Sequence, residues 1–196
     1  MAFDPDADFP RVIPTLDCQR LILRPFTLDD APRVEQLLDT PEIAASTLYI
    51  SYPYPPGAAE SWIRSLAPAA AAGEEFTWAI TLRDTGEVTG EVIGSFGLQS
   101  VLAHKRGSVG YWVGVPYWNQ GYMTEALKRV IAFAFTEPGF LRVEALHLAS
   151  NPSSGRVMEQ AGMDSEGTLR ACYLKAGQPI DVVMWSIIQR DRVQAR

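Results

Sequence analysis

The segment from Val113 to Thr124 constrains the chain more than any other, because an apolar, strand-like run stops there and a helix begins within a few residues. It reads Val113-Gly114-Val115-Pro116-Tyr117-Trp118-Asn119-Gln120-Gly121-Tyr122-Met123-Thr124. A glycine at the mouth of a helix lets the backbone approach a ligand closely, and the first turn's unpaired N–H groups, backed by the helix dipole, favour anionic oxygens. The helix is predicted from Ala126, Leu127, Val130, Ile131, Ala134 and Phe135, which recur at i, i+3, i+4 spacing until Glu137-Pro138-Gly139 ends it. Thr124 suits its cap or first turn, where Glu125 adds favourable charge. Spacing alone leaves two readings open: a pyrophosphate seat, or a strand-to-helix loop in which Gly121 only permits a turn. Neither Gly-x-x-x-x-Gly-Lys-Ser/Thr nor a helix-opening Gly-x-Gly-x-x-Gly occurs, so nucleotide hydrolysis and dinucleotide hydride transfer lose support.

The residues after this helix narrow the topology. Leu141 to Ala149 reads as a strand, and Ser150-Asn151-Pro152-Ser153-Ser154 opens a second helix through Gln160, closed by Gly162. Strand, helix, strand, helix implies a parallel pair joined by a right-handed crossover. Upstream, Leu21-Ile22-Leu23 predicts a first strand limited by Pro25, and Thr27 with Asp30 starts a helix over Ala31 to Leu38. Tyr49 to Pro56 is a proline-interrupted loop with aromatic tips, and a helix over Ala58 to Ala72 is expected to kink or break at Pro68. Phe76 to Leu82, a turn at Asp84-Thr85-Gly86, Val92 to Leu98 and Ser108 to Val115 predict an antiparallel meander. Asp164 to Tyr173 pairs with a last strand, Asp181 to Gln189.

Composition enters where partners are in question. The 196 residues carry a net charge of −6, which argues against general nucleic-acid binding and makes a cationic or amine-bearing acceptor electrostatically easier. No apolar run reaches membrane-spanning length, and the aspartate- and proline-rich start lacks signal-peptide character; the expectation is a cytoplasmic protein with no membrane partner. Cys18 and Cys172 are too few for a disulfide framework or a zinc site, so both are read as free thiols and no metal is expected. Residues 1–15 are expected to form an extension and 16–196 one domain.

The stretch Tyr117 to Ala126, together with Asn151-Pro152-Ser153-Ser154-Gly155-Arg156-Val157-Met158-Glu159-Gln160-Ala161-Gly162-Met163, closely resembles the two signature segments of GNAT-superfamily N-acetyltransferases. Within it the chain looks most like the branch that acetylates ribosomal-protein N-termini and related amines. Leu16 to Pro25, Tyr52-Pro53-Tyr54-Pro55 and Glu166-Gly167-Thr168-Leu169-Arg170 extend the likeness over nearly all of the chain after residue 15. The resemblance implies an α/β GNAT fold: a mixed, mostly antiparallel twisted sheet with a central, splayed parallel pair, flanked by helices. It also implies acetyl-coenzyme A as cofactor, its diphosphate held by Gln120, Gly121, Tyr122, Met123 and Thr124, with Arg156 compensating charge. Trp118 and Met123 depart from the family's usual glutamine or arginine and small residue. Met123 would crowd the phosphates if it faced them, and would be harmless pointing into the core.

Amine acetylation sets three tasks: the amine must lose a proton, the oxyanion must be stabilised, and the thiolate must be protonated. The gap between the strands ending at Val115 and Ala149 would hold the pantetheine arm, with Val113, Val115 and Asn151 lining it. The resemblance places Asn151 on that arm and Ser154 near the sulfur, making Ser154 the candidate acid; the alternative is helix capping by Ser153 or Ser154. Ser108 stands where many relatives carry a glutamate, so Tyr111 or His147 is left to relay a proton through water, against a buried structural role for each. Glu144 reads as a structural partner. For the acceptor, the aromatic loop Tyr49 to Pro55, including Tyr52 and Tyr54, is expected to form a lid with Trp78 beneath and Arg170 anchoring a carboxylate or carbonyl; the alternative is that the rings close the core. The expected activity is acetyl transfer to a primary amine, on a protein N-terminus or a small molecule, by direct attack in a ternary complex. A small-molecule acetyltransferase and a non-catalytic acyl-coenzyme A sensor are the rivals, and a homodimer is compatible with each.

Overall fold

A computed structural model describes residues 10–84 and 87–190. Strands β1 (Leu16–Asp17), β2 (Leu21–Pro25), β3 (Glu75–Asp84), β4 (Glu87–Val101), β5 (Arg106–Val113), β6 (Arg142–Leu148), β7 (Asp164–Lys175) and β8 (Gln178–Ile188) form one sheet in the order β1-β2-β3-β4-β5-β6-β8-β7. Every neighbouring pair is antiparallel except β5 and β6. The helices are α1 (Ala31–Leu38), α2 (Pro41–Ser46), α3 (Ala58–Ala72), α4 (Tyr122–Thr136) and α5 (Pro152–Gln160). The α/β class, the parallel pair and its α4 crossover are those the pattern implies. The turn expected at Asp84-Thr85-Gly86 has its centre outside the described residues.

The pleat of β3 sorts the sheet into two faces. Phe76 and Trp78 point toward α4, where both rings meet Phe133 edge-on at 5.8 and 5.5 Å, and Phe96, Leu98, Val109 and Val143 continue that core. The opposite face is covered at one end by α1 and α3, through Val34, Leu38, Ile63, Ala79 and Val92. At its other end it is polar and carries Glu75, Thr77, Ser95, Gln99 and Ser108. That change, from apolar and covered to polar and open, gives the sheet its binding side.

Two local expectations are corrected. Helix α3 runs unbroken through Pro68, which lies on its exposed side. Strand β5 ends at Val113 rather than Val115, since Gly114-Val115-Pro116 turns into a 3-10 segment, Val115–Tyr117, with Pro116 in its first turn. Helix α2 is additional to the predicted elements, although Thr40-Pro41-Glu42 carries the usual start signals of capping residue, proline and acid.

Candidate active site

Strands β5 and β6 are paired from Arg106–Arg142 only as far as Val109–Ala145. Beyond that register Gly110 to Val113 and Leu146 to Leu148 separate, opening a cavity of about 1030 Å³ whose walls include both strand ends and the starts of α4 and α5. Diverging strands leave backbone amides and carbonyls free of a ladder partner, which suits an arm that itself carries amides.

Helix α4 starts at Gly121, in the left-handed region at φ 77°, two residues after Asn119 at φ 59°. No side chain caps this end. Trp118 fixes the loop from below by donating its Nε1–H to Val113 O at 2.7 Å, and Gln120 Nε2 donates to Pro116 O. Met123 is 7% exposed within the main core, so the bulk at that position points away from the loop's open side. Thr124 donates to Gln160 Oε1 at 3.1 Å, joining α4 to α5. Arg20 is a residue that local reading missed. Its Nε pairs with Glu125 at 2.7 Å, its Nη1 reaches Gln120 O at 2.9 Å, and its guanidinium lies 4.9 Å from the centre of the Tyr122 ring. The Arg20–Gln120 contact is separated by 100 residues of sequence, and no local spacing signals it.

Helix α5 starts differently. Asn151 is the cap: its Oδ1 accepts from Ser154 N–H at 3.4 Å, while its Nδ2 donates to Ser46 O at 3.1 Å. Ser153 Oγ accepts from Arg156 Nη2 at 2.7 Å. Neither serine hydroxyl caps the helix. Ser154 Oγ instead lies 2.9 Å from Tyr111 Oη, which also sits 3.3 Å from Ser154 O. Burial pushes the Tyr111 phenol up to about 12, with the Ser154 hydrogen bond opposing the shift. Tyr111 therefore keeps its proton at any working pH and serves as an O–H hydrogen-bond donor.

His147 packs between β6 and α5. Its Nδ1–H donates to Leu148 O at 2.8 Å, its ring lies against Trp185, and a Cβ added at Gly155 would come within 2.8 Å of its Nε2. Its Nδ1 is thus held by the fold, while the ring still borders the cavity. Glu144 accepts from Arg142 Nε at 2.9 Å and faces Arg106, a structural ion-pair group.

The acceptor assignments need correction. Trp78 is fully buried beneath α4, with Nε1 donating to Pro14 O at 2.7 Å, because its place in the pleat turns it to the core face. Tyr52 is exposed and Tyr54 packs against the α1–α3 cluster with its N–H bound to Asp39; neither borders the cavity. Arg170 sits exposed in the irregular stretch of β7 between Leu169 and Tyr173, also off the cavity wall, and Val115 has turned into the α1–α3 core. Of the expected lid loop Tyr49 to Pro55 only its first part, Tyr49 and Ile50, lines the cavity, and Thr47, Tyr173, Trp112 and Glu75 complete that wall. Lys175 holds Thr47 in place, its Nζ donating to the carbonyls of Ala44, Ala45 and Thr47 at 2.6, 3.1 and 2.5 Å. Burial lowers the Lys175 ammonium's pKa from its ordinary value.

A sheet split at its one parallel pair, with an uncapped helix start on one side and a hydroxyl pair on the other, defines an acyltransferase class of α/β protein. The chain belongs to the acetyltransferase (GNAT) domain family, which it matches over residues 20–164. It is 28% identical over 181 residues to the uncharacterized N-acetyltransferase YoaA of Bacillus subtilis, covering 91% of this chain and 98% of that one. Its fold is similar to RimL, a ribosomal L7/L12 alpha-N-protein acetyltransferase solved with coenzyme A, at a TM-score of 0.78 and 17% identity over 89% of this chain and 98% of that one. It is also similar to the microcin C7 self-immunity acetyltransferase MccE, solved with acetyl-CoA and AMP, at a TM-score of 0.75 and 18% identity over 87% and 93%. Among the described residues no helix is long and apolar enough to cross a membrane.

Proposed function

We propose that this N-acetyltransferase moves acetyl from acetyl-coenzyme A to a primary amine by direct attack in a ternary complex. The observation that carries this reading is the Tyr111–Ser154 hydroxyl pair, 2.9 Å apart where β5 and β6 part. The residues fit the donor. Gly121, left-handed and uncapped, offers first-turn amides to the diphosphate, Arg156 supplies positive charge on the cavity wall, Arg20 braces the loop through Glu125 and the Gln120 carbonyl, and Val113 and Asn151 border the gap for the arm. When bound, acetyl-coenzyme A supplies a thioester whose carbonyl carbon the amine attacks. The C–N bond forms, the C–S bond breaks, the amine nitrogen gives up a proton and the sulfur takes one.

Ser154 would give its proton to the leaving thiolate and take one back across its hydrogen bond with Tyr111, and water would restore the proton to Tyr111. With both hydroxyls protonated at neutral pH, the pair acts as acid only; the amine loses its proton to water in the open half of the cavity. RimL is an alpha-N-protein acetyltransferase, and MccE is a microcin C7 self-immunity acetyltransferase, which supports an amine acceptor without choosing between a protein and a small molecule.

Titration calorimetry with acetyl-coenzyme A, paired with thiol release over a panel of N-terminal peptides and small amines, tests the proposal. Saturable binding with acceptor-dependent release is expected. Binding without release on any acceptor would favour the sensor, and no binding would remove both readings.

A further inference from the structure

The charged side chains on the cavity wall include two carboxylates, Glu42 and Glu75, and one guanidinium, Arg156. Glu75 opens β3 on the polar face and stands across from Gln99 of β4, which stands across from Ser108 of β5. Its Oε1 accepts from Thr77 Oγ1 at 2.6 Å and its Oε2 from Gln99 Nε2 at 3.2 Å. Both donors are neutral. A carboxylate has about four acceptor sites, so two directions remain. No cationic side chain among the described residues forms an ion pair with it.

The floor beside this carboxylate is bare. A Cβ at Gly97 would lie 3.3 Å from Glu75 Oε1, and Gly97 is paired with Gly110, where a Cβ would meet nothing within 4 Å. Two facing glycines thus leave a side-chain-free trough running from Glu75 across β4 and β5 to the place where β5 and β6 part. From the strand over which the carboxylate leans to that gap is about one and a half strand spacings, on the order of 7 Å. Tyr49, Trp112 and Tyr173 also border the cavity, and aromatic faces beside a carboxylate favour a cation.

Resting on the acetyl-transfer reading above, we propose that Glu75 is a specificity-determining residue that binds a second positive charge on the acceptor. The acceptor is then a small diamine-like molecule, whose reacting nitrogen lies in the gap while its other ammonium sits on Glu75. A neutral-tailed amine of equal length leaves that carboxylate without a charged partner, and the site discriminates against it.

The test measures binding of 1,4-diaminobutane and 1-aminobutane to the coenzyme A-loaded protein by calorimetry. The diamine is expected to bind about tenfold more tightly. Glu75→Gln, nearly isosteric, should bring the two amines to within about twofold of one another while leaving coenzyme A affinity unchanged; Glu75→Asp should keep part of the preference. Equal binding of the two amines to the unaltered protein, or a preference that survives Glu75→Gln, would overturn the proposal. Should coenzyme A itself fail to bind, the acetyl-transfer reading falls, and the same amine pair titrated onto the unloaded protein still reads Glu75.

Discussion

The two helix starts that flank the gap are built on opposite principles. Helix α4 begins on a left-handed glycine with no capping side chain, whereas α5 begins on Asn151, whose amide caps it and also ties down Ser46. An uncapped start keeps its amides for an anion; a start capped by asparagine frees the serine hydroxyls that usually do that work. Ser154 can therefore hydrogen-bond Tyr111 because Asn151 has taken the structural role. The contrast teaches that at such junctions the informative question is which residue satisfies the orphan N–H groups, not whether a serine is present.

The sharpest way to break this contrast is to remove the freed hydroxyl. Ser154→Ala leaves the cap in place, so fold and cofactor affinity should hold while kcat falls by about a hundredfold, the low end for loss of a positioned proton donor. Tyr111→Phe should lower kcat in the same direction. Turnover equal to the unaltered protein in both variants would end the acid role. The pH profile adds a second reading. Because burial lifts the Tyr111 phenol from its ordinary 10.0 to about 12, the folded and unfolded forms are both neutral below pH 10. Its contribution to stability is lost only as pH rises from about 10 toward 12, when the unfolded phenol ionises first. Any alkaline fall in kcat below pH 10 must then arise elsewhere, and Tyr111→Phe should leave its midpoint where it was.

The other start is tested by giving it a side chain. At φ 77° an alanine is strained, and Gly121→Ala should cost about 1–2 kcal/mol of stability. An added Cβ would lie 3.4 Å from Arg20 Nη2, an ordinary contact, so the strain rather than a clash sets the size of the effect. Acetyl-coenzyme A affinity should fall with it, because relaxing the strain turns the first-turn amides. Gly121→Asn tolerates the left-handed region better and should recover stability more than affinity. Recovery of both together would mean that the loop is only a turn.

How much was legible in the sequence depends on the range of the forces involved. The α1 and α3 spans, the α4 and α5 starts and the parallel pair came from local periodicity and capping, which act within a few residues. The resemblance assigns Ser154, whereas Tyr111 is read from its place near the gap as a proton relay, and the pairing of the two needs β5 and α5 side by side. Trp78 was misplaced because alternation says that two faces exist, not which of them is covered. Counting from Phe76, which shares the α4 face, puts Glu75 and Thr77 on the binding side. Arg20 and Lys175 were invisible, since each acts on carbonyls about a hundred residues away or more.

The smallest effect concerns the strut between the two starts. Thr124, in the first turn of α4, donates to Gln160 at the end of α5, so the uncapped and capped helices are joined by one exposed hydrogen bond. Thr124→Val removes the hydroxyl and keeps the shape, and a single solvent-accessible bond of this kind contributes about 0.5–1 kcal/mol. If the two starts work independently, the melting temperature should drop by a few degrees at most while acetyl-coenzyme A affinity and kcat stay within about twofold. A larger loss of kcat than of stability would show the opposite: that the distance between the anion seat and the hydroxyl pair is held by this strut, and that the two ends function as one device.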